Sequence, residues 1–146
     1  MRKERRMIMN TKTYTTLPQE AKDIRIEVFM KEQGFENEFD DIDTISHHIV
    51  VFDEGKPIGT CRFFKENDHY TIGRVAVLKA YRNQHIGNLL LISAEKEIKK
   101  LNGDLIVVHA QVRVSPFYKK QGYIQFGQID DDEGVPHMWM KKRIQH

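Results

Sequence analysis

The sequence predicts an α/β domain with a mixed, largely antiparallel central sheet flanked by helices. Three observations carry this reading. Apolar, β-branched runs at 47–52, 57–65 and 69–78 are joined by two short polar turns, Asp53-Glu54-Gly55-Lys56 and Glu66-Asn67-Asp68. Short turns between consecutive strands make an antiparallel meander. Next, Ile86, Leu90, Ala94, Ile98 and Leu101 recur near helical period, while Asn88, Glu95, Lys96, Lys99 and Lys100 take the other side. A continuous apolar run, 105–112, follows that helix. Reached by a helical crossover, it is expected to lie parallel to the third strand and to be buried on both faces.

The remaining elements follow in order. Residues 1–10 read as a tail running into a first strand, with a basic cluster typical of a solvated terminus. Pro18 opens a helix, to whose first turn proline is suited. Ala21, Ile24, Val28 and Phe29 give it an apolar stripe, and Gly34 stops it. The stretch 36–44 carries Glu36, Glu38, Asp40, Asp41 and Asp43 and reads as a loop or short irregular helix. Such a run is ordinarily a solvated surface; the competing reading is a wall that attracts a cationic amine. Asn102-Gly103 ends the central helix. Ser115 is placed as the cap of a short helix with Pro116 at its first position, ended by Gly122. A strand at 123–129, a polar loop at 130–136 and a last strand at 137–142 complete one domain spanning 1–146.

Composition bounds the function. The chain has 146 residues, 40% of them apolar and 30% charged, with a net charge of +2. That is the profile of a soluble globular domain. The charge balance does not point to nucleic acid. No apolar run approaches the roughly 20 residues that span a bilayer. The basic start is not followed by the apolar stretch of a signal peptide, so a cytoplasmic location is the expectation. Cys61 is the single cysteine. It excludes an intrachain disulfide or a cysteine-based zinc cage, and mid-strand it reads as a buried, inert thiol. His47, His48, His109 and His137 match no metal-ligand spacing, and no metal is expected.

The chemistry centres on the passage from Val75-Ala76-Val77 through Arg82 into the helix at Ile86. A helix N-terminus offers unpaired N–H groups and a partial positive charge, which together favour an anion such as phosphate. Arg82 adds a full charge. On this geometry alone the stretch also reads as an ordinary strand–loop–helix connection, with Gly87 a small packing residue.

The residues themselves favour the first reading. Arg82-x-x-x-Ile86-Gly87-x-x-Leu90, preceded closely by Val75-Ala76-Val77, resembles the acetyl-CoA pyrophosphate loop of the GNAT N-acetyltransferase superfamily. Its usual form is Arg/Gln-x-x-Gly-x-Gly/Ala. His85 stands where the middle glycine is usual, and Asn83 replaces another frequent glycine. Asn and His tolerate left-handed backbone better than most residues. Phe117-Tyr118-Lys119-Lys120-Gln121-Gly122-Tyr123 is similar to the Phe-Tyr-x-x-x-Gly-Phe segment of the same superfamily. Gln111 stands where many members carry Asn. Glu32-Gln33, Asp40, Asp43, His48, Gly59-Thr60, Arg62, His109-Ala110-Gln111 and Pro136-His137 resemble the small ElaA-type bacterial branch.

The resemblance implies the GNAT, or acyl-CoA N-acyltransferase, fold. It implies direct acetyl transfer from acetyl-CoA to a primary amine, on a small molecule or peptide, in a ternary complex. Arg82, Asn83, Gln84, His85, Ile86, Gly87 and Asn88 would hold the pyrophosphate. Val75, Ala76 and Val77 would bond the pantetheine arm through the backbone, as an added strand does, and polarise the thioester carbonyl. Gln111 and Phe117 complete the coenzyme site. Tyr118 is the implied general acid, a reading that the flanking match favours over the common one of a core or half-buried tyrosine. An alkyl amine is mostly protonated at neutral pH, so a base is needed. His48, His109 and His137 are the candidates, as base or substrate contacts, with Glu32 a further one. Arg62 and Arg74 are expected to pair with the acidic stretch or with a substrate carboxylate. Homodimers are common in the superfamily. The competing function is a CoA-binding or regulatory module that has lost turnover, motivated by His85 and by the absence of an obvious base.

Overall fold

The computed structural model describes residues 8–36 and 38–145. The expected tail falls mostly outside these, at 1–7; Met9 already belongs to the first strand. Strands β1 (Met9–Tyr14), β2 (His47–Asp53), β3 (Lys56–Glu66), β4 (His69–Val77), β5 (Leu105–Gln111), β6 (Ile124–Asp132) and β7 (Val135–Arg143) form one sheet of order β1-β2-β3-β4-β5-β7-β6. All neighbours are antiparallel except β4 and β5. The helices are α1 (Gln19–Arg25, continuing as a π-helical stretch at Ile26–Glu32), α2 (Ile86–Lys100) and α3 (Ser115–Lys120).

Alternation along the strands sorts side chains to two faces. Ile49 and Val51 of β2 join Ile58, Phe63, Ile72, Ile106 and Val108 beneath α2, which contributes Ile86, Leu90, Leu91, Ala94 and Ile98. Val50 and Phe52 instead meet Ala21, Ile24, Val28 and Phe29 of α1. Gly59 lets α2 approach closely: a Cβ there would lie 3.0 Å from Ile86 Cγ2.

Three local expectations are corrected. Ser115 is the first residue of α3, not its cap; Val114 holds that position and no side chain caps the helix. Strand β6 runs on to Asp132, through residues expected to form a loop, because Asp130 to Asp132 pair with His137 to Val135. The helix that Pro18 opens is not uniform: its second half has π geometry, which hydrophobic spacing does not register.

The feature that shapes the site is a β-bulge in β4. Thr60 opposes Ala76 and Arg62 opposes Gly73, so Arg74 and Val75 share one place on the ladder. Arg74 takes a left-handed conformation, φ 51°, a cost tolerated where the surroundings enforce it. Pairing with β5 covers only Tyr70 to Ile72 against Ile106 to Val108. Beyond the bulge the two parallel strands part.

An ionic cluster fixes that bulge. Arg74 Nε meets the Glu38 carboxylate at 3.1 Å and donates to the Glu38 carbonyl at 3.2 Å. Arg25 is 1% exposed and donates to Glu38 at 2.7 Å and to Asp43 at 2.8 Å. Arg62 donates to Asp40 at 2.7 Å and Asp43 at 2.9 Å. Burial works against the Asp43 carboxylate, but Arg25 and Arg62 overcome it and hold its pKa at about 2. The acidic stretch is therefore largely neutralised by arginines, although Glu38 also lines a cavity. Glu38 and Asp43 are buried partners for Arg25, Arg62 and Arg74, and Asp40 pairs with Arg62 and Arg74 from the surface. Glu36 and Asp41 remain at the surface.

Candidate active site

Two cavities flank the parted strands and share Gln33, Val75, Arg113 and Val114 in their linings. The larger, about 710 Å³, is lined by Val75, Ala76, Val77, Arg82, Asn83, His85, Ile86, Gly87, Asn88 and Phe117, among others. Ten of the twelve residues expected at a coenzyme site thus converge. Gln84 bonds only the Ala80 carbonyl at 3.5 Å, and Gln111 lines the smaller cavity, where it donates to Gln33 at 2.8 Å.

The loop that enters α2 takes left-handed backbone at two residues that are not glycine, Asn83 and His85, with φ 65° and 63°. These are residue types that pay less for it than most. His85 leaves the helix end without a side-chain cap, and the first intrahelical bond runs from Leu89 to His85. The N–H groups of Ile86, Gly87 and Asn88 therefore have no helical partner at the cavity wall. Gly87 is closely packed: a Cβ would lie 3.1 Å from the Phe117 ring, which would have to give by a few tenths of an ångström. Arg82 spans the cavity lining to Glu32, which it grips through both terminal nitrogens, and its Nε donates to the Val77 carbonyl at 3.1 Å. Hydrogen bonding from Arg82 holds the Glu32 carboxyl below its usual range. Glu32 is thus a counter-ion for Arg82 rather than a base.

The smaller cavity, about 270 Å³, is lined by Tyr118, His109 and His137, together with Phe29, Phe35, Asp132 and Glu133. Tyr118 is 7% exposed; burial, and secondarily the neighbouring Cys61, raises its phenol above the ordinary range. No hydrogen bond to its hydroxyl occurs among the described residues. His137 lies 2.8 Å from the Val135 carbonyl through Nδ1. A carbonyl only accepts, so Nδ1 carries the proton, and in the neutral ring Nε2 is left as an acceptor. His109 donates from Nε2 to Asp130 at 2.6 Å and stacks between His137 and Trp139, with ring centres at 4.8 and 4.3 Å.

His48 is not part of this group. It is 1% exposed in the ionic cluster, where Nε2 donates to the Asp43 carbonyl at 3.0 Å and burial lowers its pKa. His47 stacks on Phe63. Cys61 is buried opposite the bulge, its thiol pushed up to about 12 by desolvation. Among the described residues no three ligating side chains converge on a point. Asp132 and Glu133 line the cavity and Asp130 bonds His109, which the order of these residues along an edge hairpin gives no local signal for.

Comparison with known proteins adds an independent line. A family model described as an acetyltransferase (GNAT) domain matches residues 14–144. An uncharacterized N-acetyltransferase of Bacillus subtilis, YjcF, is 35% identical over 122 residues, 82% of this chain and 87% of that protein. Protein ElaA of Escherichia coli is 25% identical over 128 residues, 83% and 84% of the two chains. A crystal structure from Lactobacillus plantarum, provisionally described as an N-acetyltransferase, superposes with a TM-score of 0.86 at 28% identity, covering 94% of this chain and 99% of that one. At the level of fold alone, an aminoglycoside 6'-N-acetyltransferase complexed with coenzyme A matches with a TM-score of 0.71 at 15% identity, over 88% and 91% of the chains.

Proposed function

Because the chain belongs to the GNAT acetyltransferase family, we propose that it moves an acetyl group from acetyl-CoA to a primary amine by direct transfer in a ternary complex. The observation that carries this is the pair of cavities meeting at Val75, where β4 leaves β5. One holds a bare helix N-terminus and Arg82, suited to a diphosphate. The other holds a protonated phenol and an imidazole with a free acceptor nitrogen.

Acetyl-CoA supplies the activated acetyl thioester. The N–H groups at 86–88 and Arg82 would hold its diphosphate, with Arg82 exchanging Glu32 for phosphate oxygens. The backbone of Val75 to Val77, unpaired on the β5 side, would bond the pantetheine arm. His137 Nε2 accepts the proton that an ammonium must lose before it attacks. The Tyr118 hydroxyl, kept neutral by burial, donates toward the departing sulfur. With a raised pKa it acts chiefly as a hydrogen-bond donor to the thiolate.

The test is thiol release from acetyl-CoA across a panel of primary amines, alongside calorimetric binding of the coenzyme. Release with at least one amine supports transfer. The second reading, a CoA-binding module without turnover, draws on the Glu32 carboxylate that already neutralises Arg82. Binding without release for every amine would select it, and absence of binding would remove both.

A further inference from the structure

The smaller cavity is both tight and roofed. At about 270 Å³ it falls below the roughly 300–1,000 Å³ of pockets that enclose drug-sized ligands. Its roof is the β6–β7 hairpin, which bends where β6 carries extra residues between Phe126 and Asp130, with Gly127 at φ 72°. Two ties hold the hairpin down. His109 donates to Asp130 at 2.6 Å, and the Glu36 N–H donates to Glu133 at 3.3 Å. A lysine on the surface of a folded protein would have to lift both.

The free charges of the cavity are two acids against one arginine. Glu38 and Arg74 line it but neutralise each other. Arg113 also lines the coenzyme cavity and so belongs to the junction. Asp132 and Glu133 remain on the roof, both exposed. Asp132 makes no hydrogen bond or ion pair among the described residues. Phe29 and Phe35 form part of the wall, and aromatic faces favour a cation.

A separate observation marks the cavity as a ligand site. Tyr118 and His137 are 7% and 6% exposed, yet the Tyr118 hydroxyl and His137 Nε2 have no partner among the described residues. Among the described residues the fully buried, unpartnered polar side-chain atom is Arg62 Nε, which lies outside this cavity. The two former atoms are therefore reached by solvent, through the cavity they line.

We infer that the acceptor is a short aliphatic diamine. Its reacting amine meets His137 and Tyr118, and its second, still protonated, meets Asp132 and Glu133. This rests on the transfer reading above. The acetyl carbon–sulfur bond breaks as the carbon–nitrogen bond forms. The ammonium loses one proton through His137 to solvent before attack, and its nitrogen loses a second to solvent as the amide forms. The thiolate takes one proton from Tyr118, which recovers it from solvent, so that one proton is released overall.

The experiment compares thiol release from acetyl-CoA with short α,ω-diamines and with n-alkylamines of equal length. The diamines should show the higher kcat/KM. In a D132N/E133Q variant that preference should fall about five- to tenfold, carried by KM, as expected for two partly exposed ion pairs. Equal rates for monoamines and diamines, or a preference unchanged in the variant, would overturn the diamine assignment and leave transfer standing. If coenzyme binds but no amine of either kind releases thiol, transfer itself falls and the diamine with it.

Discussion

The molecule holds two clusters rich in charge, one packed on the β4 bulge and one on the β6–β7 hairpin, and they behave in opposite ways. At the bulge, Arg25, Arg62 and Arg74 meet Glu38, Asp40 and Asp43, with Arg25, Arg62, Glu38 and Asp43 buried and Arg74 and Asp40 at the margin. Three cations match three anions, so the cluster has no charge left over for a ligand. At the hairpin, His109, Asp130, His137, Asp132 and Glu133 border open space and keep unsatisfied positions. The difference lies in the counter-ions. The acids at 38–43 have arginines brought to them by α1, β3 and β4. The acids at 130–133 lie on an edge hairpin, where among the described residues Asp130 alone has a donor side chain bonded to it. Charge serves architecture where it is matched and buried, and chemistry where it is left partly unmatched.

The sharpest way to break this contrast is to unbalance the interior. Arg25→Leu leaves Glu38 and Asp43 facing each other without their shared cation. Removing one partner of a buried ion pair typically costs about 3–5 kcal/mol, and denaturant unfolding should register a loss of that size. A loss under about 1 kcal/mol would mean that the cluster is no more structural than a surface network. On the open side the expected damage is to rate instead. Tyr118→Phe removes one oxygen that no protein group uses. It should lower kcat about a hundredfold while leaving the unfolding midpoint near wild type. A variant that keeps its full rate would take Tyr118 out of the mechanism.

Acid separates the clusters further. The Asp43 carboxyl, ordinarily near 3.8, is held at about 2 in the fold, and Asp40 is also lowered. A depressed carboxylate stabilises the fold above its unfolded pKa and stops doing so as pH falls through the folded one. Glu38 runs the other way, since burial raises it. Stability should thus hold down to about pH 4 and decline between about pH 4 and 2, by about 1–2 kcal/mol from Asp43 after allowance for solvent screening. The Arg25→Leu protein should show a shallower decline, since the field that depresses Asp43 is weakened. Equal slopes in urea titrations of the two proteins would place the origin of the acid sensitivity elsewhere.

The sequence exposes these two regions unequally. Helix α2, the meander and the crossover to β5 are written in spacing and turn residues, and the coenzyme loop in a contiguous motif. Asn83 and His85 even keep the backbone geometry that glycine would give. The bulge is not legible: Gly73-Arg74 continues an alternating strand, and the left-handed turn at Arg74 is enforced by Glu38, which lies 36 positions away. The acidic run could not be told from a solvated one for the same reason, its arginines being distant in the chain. His48 resembled His109 and His137 because each sits on a strand. Only the tertiary contacts show one bonded inside the ionic cluster and the other two bordering a cavity.

The gentlest probe is Asp130→Asn. It keeps the shape of the side chain but removes the charge that accepts from His109. The pair is exposed, so unfolding should be indistinguishable from wild type, unlike Arg25→Leu. The hairpin would lose one of the two ties that hold Asp132 and Glu133 over the cavity. KM for the acceptor should then rise a fewfold with little change in kcat, because His137 keeps its own bond to Val135. A fall in kcat with KM unchanged would show instead that the His109–Asp130 pair acts through His137 on proton removal. A marked loss of stability would erase the contrast itself, since the open cluster would then be holding the fold together as the closed one does.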